Sequence, residues 1–126
     1  MLLYEELSNK IIKAYYNVLD NLGVGLLEKV YENALCIELE EMGIPFEQQK
    51  AMTITYKGRS IGDYIADIVV DNKIVLELKA IPFLTAINTA QVINYLAVTG
   101  LKVGYLLNFG DKAEYKRIIR KGALNE

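Results

Sequence analysis

Residues Tyr64 to Ala80 read Tyr-Ile-Ala-Asp-Ile-Val-Val-Asp-Asn-Lys-Ile-Val-Leu-Glu-Leu-Lys-Ala. Two apolar runs of strand length flank a polar Asp-Asn-Lys turn, the pattern of two antiparallel strands joined tightly. Three charges, Asp67, Glu77 and Lys79, interrupt those runs. A carboxylate in a core is costly unless it is paired, hydrogen-bonded or bound to a metal, so charges on neighbouring buried strands point to a site.

Residues two apart on a strand share a face, which groups Glu77 and Lys79 with Val75, and Asp67 with Ile65 and Val69. A two-residue turn at Asp71-Asn72 would set Asp67 opposite Leu76 and send the carboxylates to opposite faces. A three-residue loop, Asp71-Asn72-Lys73, sets Asp67 opposite Glu77, and this odd loop is the expectation. Two carboxylates converging with a lysine form a hard-oxygen site suited to Mg2+ or Mn2+, with an ammonium in reach of a phosphate or a water. The plain alternative is a set of solvated charges pairing with one another on an exposed strand face.

With 126 residues, 52% of them hydrophobic, the chain is expected to form a single domain over residues 1–126. No stretch approaches the roughly 20 apolar residues of a membrane span, so no membrane partner is expected. The first residues lack the basic and apolar regions of a signal peptide. Cys36 stands alone, which rules out an internal disulfide and fits a reducing, cytoplasmic setting. It sits in an apolar helical pattern and reads as a buried structural thiol. There is no histidine, which excludes Ser-His and Cys-His triads and nearly all ordinary zinc sites. The net charge of -2 argues against a broadly basic coat. The acidity lies mostly before Gln48; the remainder is net basic, ending in Lys112, Lys116, Arg117, Arg120 and Lys121, which read more as a soluble edge than as a phosphate contact.

Helical spacing over 3–19 (Leu7, Ile11, Ala14 or Tyr15, Val18) predicts an amphipathic helix stopped at Asn21-Leu22-Gly23. A second helix follows Gly25 and runs to about Met42, with Glu28, Tyr31, Glu32 and Leu35 on one side and Leu27, Val30, Ala34, Ile37 and Leu39 supplying apolar contact. Glu28 matters chemically only if its side faces the strand carboxylates. An antiparallel meander is expected over 47–56, 60–70 and 74–80. Thr85 caps a helix over 86–99, ended by Gly100, with Ile87, Ala90, Ile93, Leu96 and Ala97 apolar. Asn88, Gln91 and Tyr95 form a polar stripe on it, facing either a polar cavity or solvent. The run 102–109 is apolar on both faces and reads as a central strand, parallel to the third strand through a helical crossover. The tail reads as a short strand. The fold class is α/β, with α+β character: a mixed sheet flanked by helices.

The order of these residues resembles the PD-(D/E)xK nuclease superfamily: Asp67, then Glu77-Leu78-Lys79, then a helix bearing a Gln. Gly25-Leu26-Leu27-Glu28-Lys29-Val30-Tyr31 looks like the signature of the GxxExxY branch of that superfamily. Gly43-Ile44-Pro45-Phe46, Tyr64-Ile65-Ala66-Asp67 and Gln91-Val92-Ile93-Asn94-Tyr95-Leu96 fall in the same order, over roughly residues 8–120. The resemblance implies a restriction-endonuclease-like core in which Asp67, Glu77 and the Leu78 carbonyl hold a Mg2+ or Mn2+ ion. It implies that Glu28 completes the acidic cluster and that Lys79 orients the attacking water. On the same resemblance, Gln91 and Tyr95 would hydrogen-bond near the metal or the phosphate, and Tyr31 would pack to set the Glu28 helix. Two departures stand out: Ala66 replaces the usual Pro, and Leu19 lies where relatives often carry a His.

The expected function is a metal-dependent nuclease acting on DNA or RNA, with specificity supplied by a homodimer or a protein partner in the absence of an evident reading element. The alternative is a non-catalytic nucleic-acid-binding or assembly module that keeps the fold. A third reading makes Asp67, Glu77 and Lys79 a structural ion cluster.

Overall fold

Chain order in the computed structural model, which describes residues 2–120, is α1 (Glu5–Leu22), α2 (Glu28–Glu41), β1 (Phe46–Tyr56), β2 (Arg59–Val70), β3 (Ile74–Lys79), α3 (Ala86–Thr99), β4 (Val103–Asn108) and β5 (Glu114–Ile119). The five strands form one sheet in sequential order, antiparallel except for the β3–β4 pair, which is parallel across α3. This is the mixed sheet flanked by helices that the sequence predicts. The strand expected to be central, β4, is buried at all six positions, but β3 is the middle strand and β4 lies beside it.

The register follows from the turn after β2. Asp71 and Asn72 take left-handed backbone conformations, φ 51° and 53°, which Asp and Asn tolerate better than most residues. Lys73 N–H then donates to the Val70 carbonyl at 2.9 Å, closing the three-residue loop. The resulting pairs are Val70↔Ile74, Val69↔Val75 and Ile68↔Leu76, a register that, extended by one residue past the last pair, sets Asp67 level with Glu77.

Two apolar cores lie on the two faces of the sheet. One joins Ile11, Tyr15 and Val18 of α1 and Tyr31, Leu35 and Leu39 of α2 to Ile68, Val70, Leu76, Leu78, Tyr105 and Leu107. The other joins Val92, Tyr95 and Leu96 of α3 to Ala66, Val69, Val75 and Leu106. β2 therefore changes face: Ala66 packs towards α3, whereas Ile68 and Val70 pack towards α1 and α2. Simple alternation breaks at Asp67, opposite Gln49, which itself has φ 54°.

Both later helices turn a different side inward from the one their apolar residues suggest. On α3, Ile87 is 71% and Ile93 49% exposed, and the buried residues are Val92, Tyr95 and Leu96. The cause is the sheet beneath, where Gly104 lets Val92 settle against β4: a Cβ at Gly104 would lie 2.7 Å from Val92 Cγ1. The stripe of Asn88, Gln91 and Tyr95 divides accordingly. Asn88 accepts the Thr85 backbone N–H at 2.8 Å in a capping interaction, Gln91 is exposed and Tyr95 is buried. On α2, Leu27, Val30 and Ile37 are exposed while Tyr31, Glu32, Leu35, Cys36 and Leu39 are buried. Tyr31 sets this orientation: it stacks on Phe109 at 4.6 Å, donates its hydroxyl to the Gly23 carbonyl at 2.6 Å and accepts the Leu26 N–H at 3.1 Å.

Cys36 is buried, and burial followed by the nearby Glu32 charge pushes its thiol up to about 11, an inert structural thiol. In the basic tail, Arg117 is tied inward to Ser8 (3.0 Å), Tyr105 (2.7 Å) and the Leu3 carbonyl (2.6 Å). Lys112 pairs with Glu114, and Lys121 lies outside the described residues. Among the described residues, no helix is long and apolar enough to cross a membrane.

Candidate active site

The β2–β3 pairing stops at Ile68↔Leu76, and the charged residues stand where the ladder ends. Asp67 Oδ2 accepts the Leu78 N–H at 2.8 Å, so a backbone group of β3 holds the β2 carboxylate. In the neighbouring parallel ladder the Lys79 carbonyl accepts Phe109 N–H at 2.7 Å. Residues 77 and 79 thus direct their backbone to β4, and Leu78 directs its own towards Asp67. In a strand its carbonyl points to the same side of β3 as its N–H, towards β2.

The carboxylates act strongly on one another. Burial, then the Asp67 charge, pushes Glu77 up to about 8, with Lys79 pulling the other way. Burial raises Asp67 as well, against the lowering effect of the Leu78 N–H. Glu28, in the first turn of α2, is raised by burial and then by Asp67, and lowered by Lys79. Glu28 is exposed, but Glu32, one turn on along the same side of α2, accepts from Gln49, which also reaches Asp67, so this side of α2 faces the strand carboxylates, which the sequence left open. Lys79 is half-buried and acts on all three acids, yet forms no ion pair among the described residues. The simple reading of mutually paired surface charges does not describe this arrangement.

Tyr95 is 2% exposed, and its hydroxyl has no hydrogen-bond partner among the described residues. Burial, then the charges of Glu77 and Glu47, push it up to about 12. A buried hydroxyl left unpaired costs roughly 1–3 kcal/mol, so an oxygen-bearing group beside Glu77 would satisfy it. Gln91, one turn earlier on the same helix, is exposed and makes no side-chain hydrogen bond among the described residues. The electrostatic contacts bring Asp67, Glu77, Lys79, Glu28 and Tyr95 into one neighbourhood; Gln91 is exposed and is not joined to them.

Among the described residues, no three acidic or thiol side chains already converge as an ion cage. Uncompensated carboxylates repel, and Mg2+ takes only one or two of them while keeping several waters. The donor set, hard oxygens with an unpaired buried hydroxyl beside them, fits such an ion.

Three polar residues absent from the sequence expectations for the site complete it. Glu32, 2% exposed, accepts hydrogen bonds from Lys29 Nζ (2.7 Å), Gln48 Nε2 (2.6 Å) and Gln49 Nε2 (2.8 Å). Gln49 Nε2 also approaches Asp67 Oδ1 at 3.4 Å. The available signals were the four-residue spacing of Glu32 from Glu28, which puts both on one helix side, and the Gln48-Gln49 pair at the head of an otherwise alternating strand.

A mixed five-stranded sheet with a carboxylate pair and a lysine where β2 and β3 part defines a restriction-endonuclease-like domain. Residues 5–120 match the PD-(D/E)XK nuclease superfamily, and the chain belongs to it. No curated protein matches the sequence. Among solved structures, the chain is similar to the crystal structure of SSO0001, with a TM-score of 0.59 and 18% identity over 93% of this chain. It spans 60% of the length of that protein. An alkaline exonuclease from Laribacter hongkongensis aligns with a TM-score of 0.45 and 14% identity, over 90% of this chain and 69% of its own.

Proposed function

We propose that the chain is a Mg2+- or Mn2+-dependent nuclease of the GxxExxY branch, hydrolysing phosphodiester bonds of DNA or RNA. The observation that supports this reading is the meeting of Asp67 and Glu77 where the ladder ends, with Lys79 acting on both and in no ion pair among the described residues. Asp67, Glu77 and the Leu78 carbonyl would hold the ion, with Glu28 closing the acidic side directly or through water. A bound divalent ion supplies Lewis acidity to the attacking water and neutralises phosphate charge. Lys79 orients that water and offsets charge on the phosphate. Tyr95 donates its hydroxyl beside Glu77, and Gln91 meets the substrate from the solvent side. The chain is read as one cytoplasmic domain that gains specificity from a second copy or a protein partner.

The test is cleavage of labelled single- and double-stranded DNA and RNA with Mg2+ or Mn2+, comparing the wild type with Glu77→Ala. Metal-dependent cutting lost in the variant supports the reading. A folded wild type that neither cuts nor binds Mn2+ favours the non-catalytic nucleic-acid-binding module, to which the net charge of -2 lends some weight. Destabilisation of Glu77→Ala without any metal dependence favours a structural ion cluster.

A further inference from the structure

We propose that Gln49 is a positioning residue that aims Asp67 at the divalent ion, and that buried Glu32 acts through it. The inference rests on the nuclease reading of the site. Gln49 lies in register across from Asp67, between the pairs Gln48↔Ile68 and Lys50↔Ala66, on the side of Asp67 away from Glu77. Its backbone has φ 54°, an unfavourable conformation for a residue with a long side chain, kept only where the surroundings fix it. What fixes it is the amide. Gln49 Nε2 donates to Glu32 Oε1 at 2.8 Å and reaches Asp67 Oδ1 at 3.4 Å. Glu32 is anchored in turn by Lys29 and Gln48.

The two Asp67 oxygens are thus held unequally. Oδ2 is fixed by the Leu78 N–H at 2.8 Å. Oδ1 meets the Gln49 amide at the outer limit of hydrogen bonding, which orients it while leaving its lone pairs available to a cation. A partner that orients a ligand without displacing the metal is what outer-shell residues supply, and losing one costs about 10- to 100-fold in metal affinity.

Gln49→Gly isolates the side chain. Glycine is at home at φ 54°, and Glu32 keeps Lys29 and Gln48 as donors, so the fold is retained. The measurement is Mn2+ binding without nucleic acid, followed by loss of the free-ion EPR signal, alongside a thermal melt. The expected result is a melting temperature at or above wild type and Mn2+ affinity weakened about tenfold or more. Equal affinity in wild type and Gln49→Gly overturns the inference and leaves the nuclease reading standing; a wild type that binds no Mn2+ overturns both. Glu32→Gln in each background tests the second half: a smaller effect on Mn2+ affinity in Gln49→Gly than in wild type supports action through Gln49. An equal effect in both means that Glu32 acts by its charge alone, and overturns that half.

Discussion

The Leu78 backbone N–H donates to Asp67 Oδ2 at 2.8 Å, across the point where β2 and β3 stop pairing. A side chain here takes the place of a ladder bond, so the residue that closes the β2–β3 ladder is also a candidate metal ligand. Asp67→Asn keeps an oxygen for Leu78 and removes the charge. It is expected to melt within a few degrees of wild type and to lose cleavage by about 1000-fold or more, on the scale of removing a main electrostatic contributor. Asp67→Ala is expected to lose the same activity and, in addition, about 1–3 kcal/mol of stability for the orphaned N–H. Denaturant melts of the two variants separate the roles.

The pH dependence of metal-free stability follows from Glu77, whose folded value of about 8 lies above its ordinary 4.5. The folded state holds the proton more tightly than the unfolded one, so this contribution is present in full below about pH 4.5. It is lost as pH rises through 8. Raised Asp67 and Glu28 add to the same slope. Urea midpoints are expected to fall between pH 5 and 9, with Glu77→Gln flattening the fall. Mn2+ affinity is expected to rise over the same interval, because proton and cation compete for one group.

Tyr95→Phe removes a buried hydroxyl that has no partner among the described residues. The metal-free variant is expected to be more stable by about 1 kcal/mol, and cleavage by it to be slower. A stability gain without loss of rate would show that the hydroxyl takes no part in the chemistry.

The orientation of α3 is checked by a pair of substitutions. Ile87→Lys, at a position 71% exposed, is expected to change stability by no more than about 0.5 kcal/mol. Val92→Ala, fully buried against Val75 and Gly104, is expected to cost about 1–3 kcal/mol through lost burial and the cavity left behind. The opposite ranking would place the apolar side of the helix inward, as its composition alone suggests.

That ranking marks where the sequence was legible. Turn parity was readable only from the charges, because an odd loop is what brings Asp67 and Glu77 to one face; Asp71 and Asn72 both accept left-handed backbone and would have suited a two-residue turn as well. The limits of α3 were readable from Thr85 and Gly100. Its inward face was not, because Ile87, Val92, Ile93, Leu96 and Val98 spread apolar surface around most of the helix and the periodicity is weak. The choice was made by a glycine on another element. The same held for α2, whose orientation depends on Phe109, far along the chain, stacking on Tyr31. Glu32 and Gln49 were hidden for a related reason: their meeting depends on how β1 docks beside β2, and on one left-handed residue that local pattern does not announce.

The change of face within β2 has a consequence for how competence is acquired. Ala66 is buried with α3, and Ile68 with α1 and α2, so Asp67 is clamped only when both layers are in place. A chain with one layer assembled has its acidic residues but no fixed geometry for them. On the proposed nuclease function, cutting would require both layers to be packed, and a copy lacking either one would leave the nucleic acid around it intact.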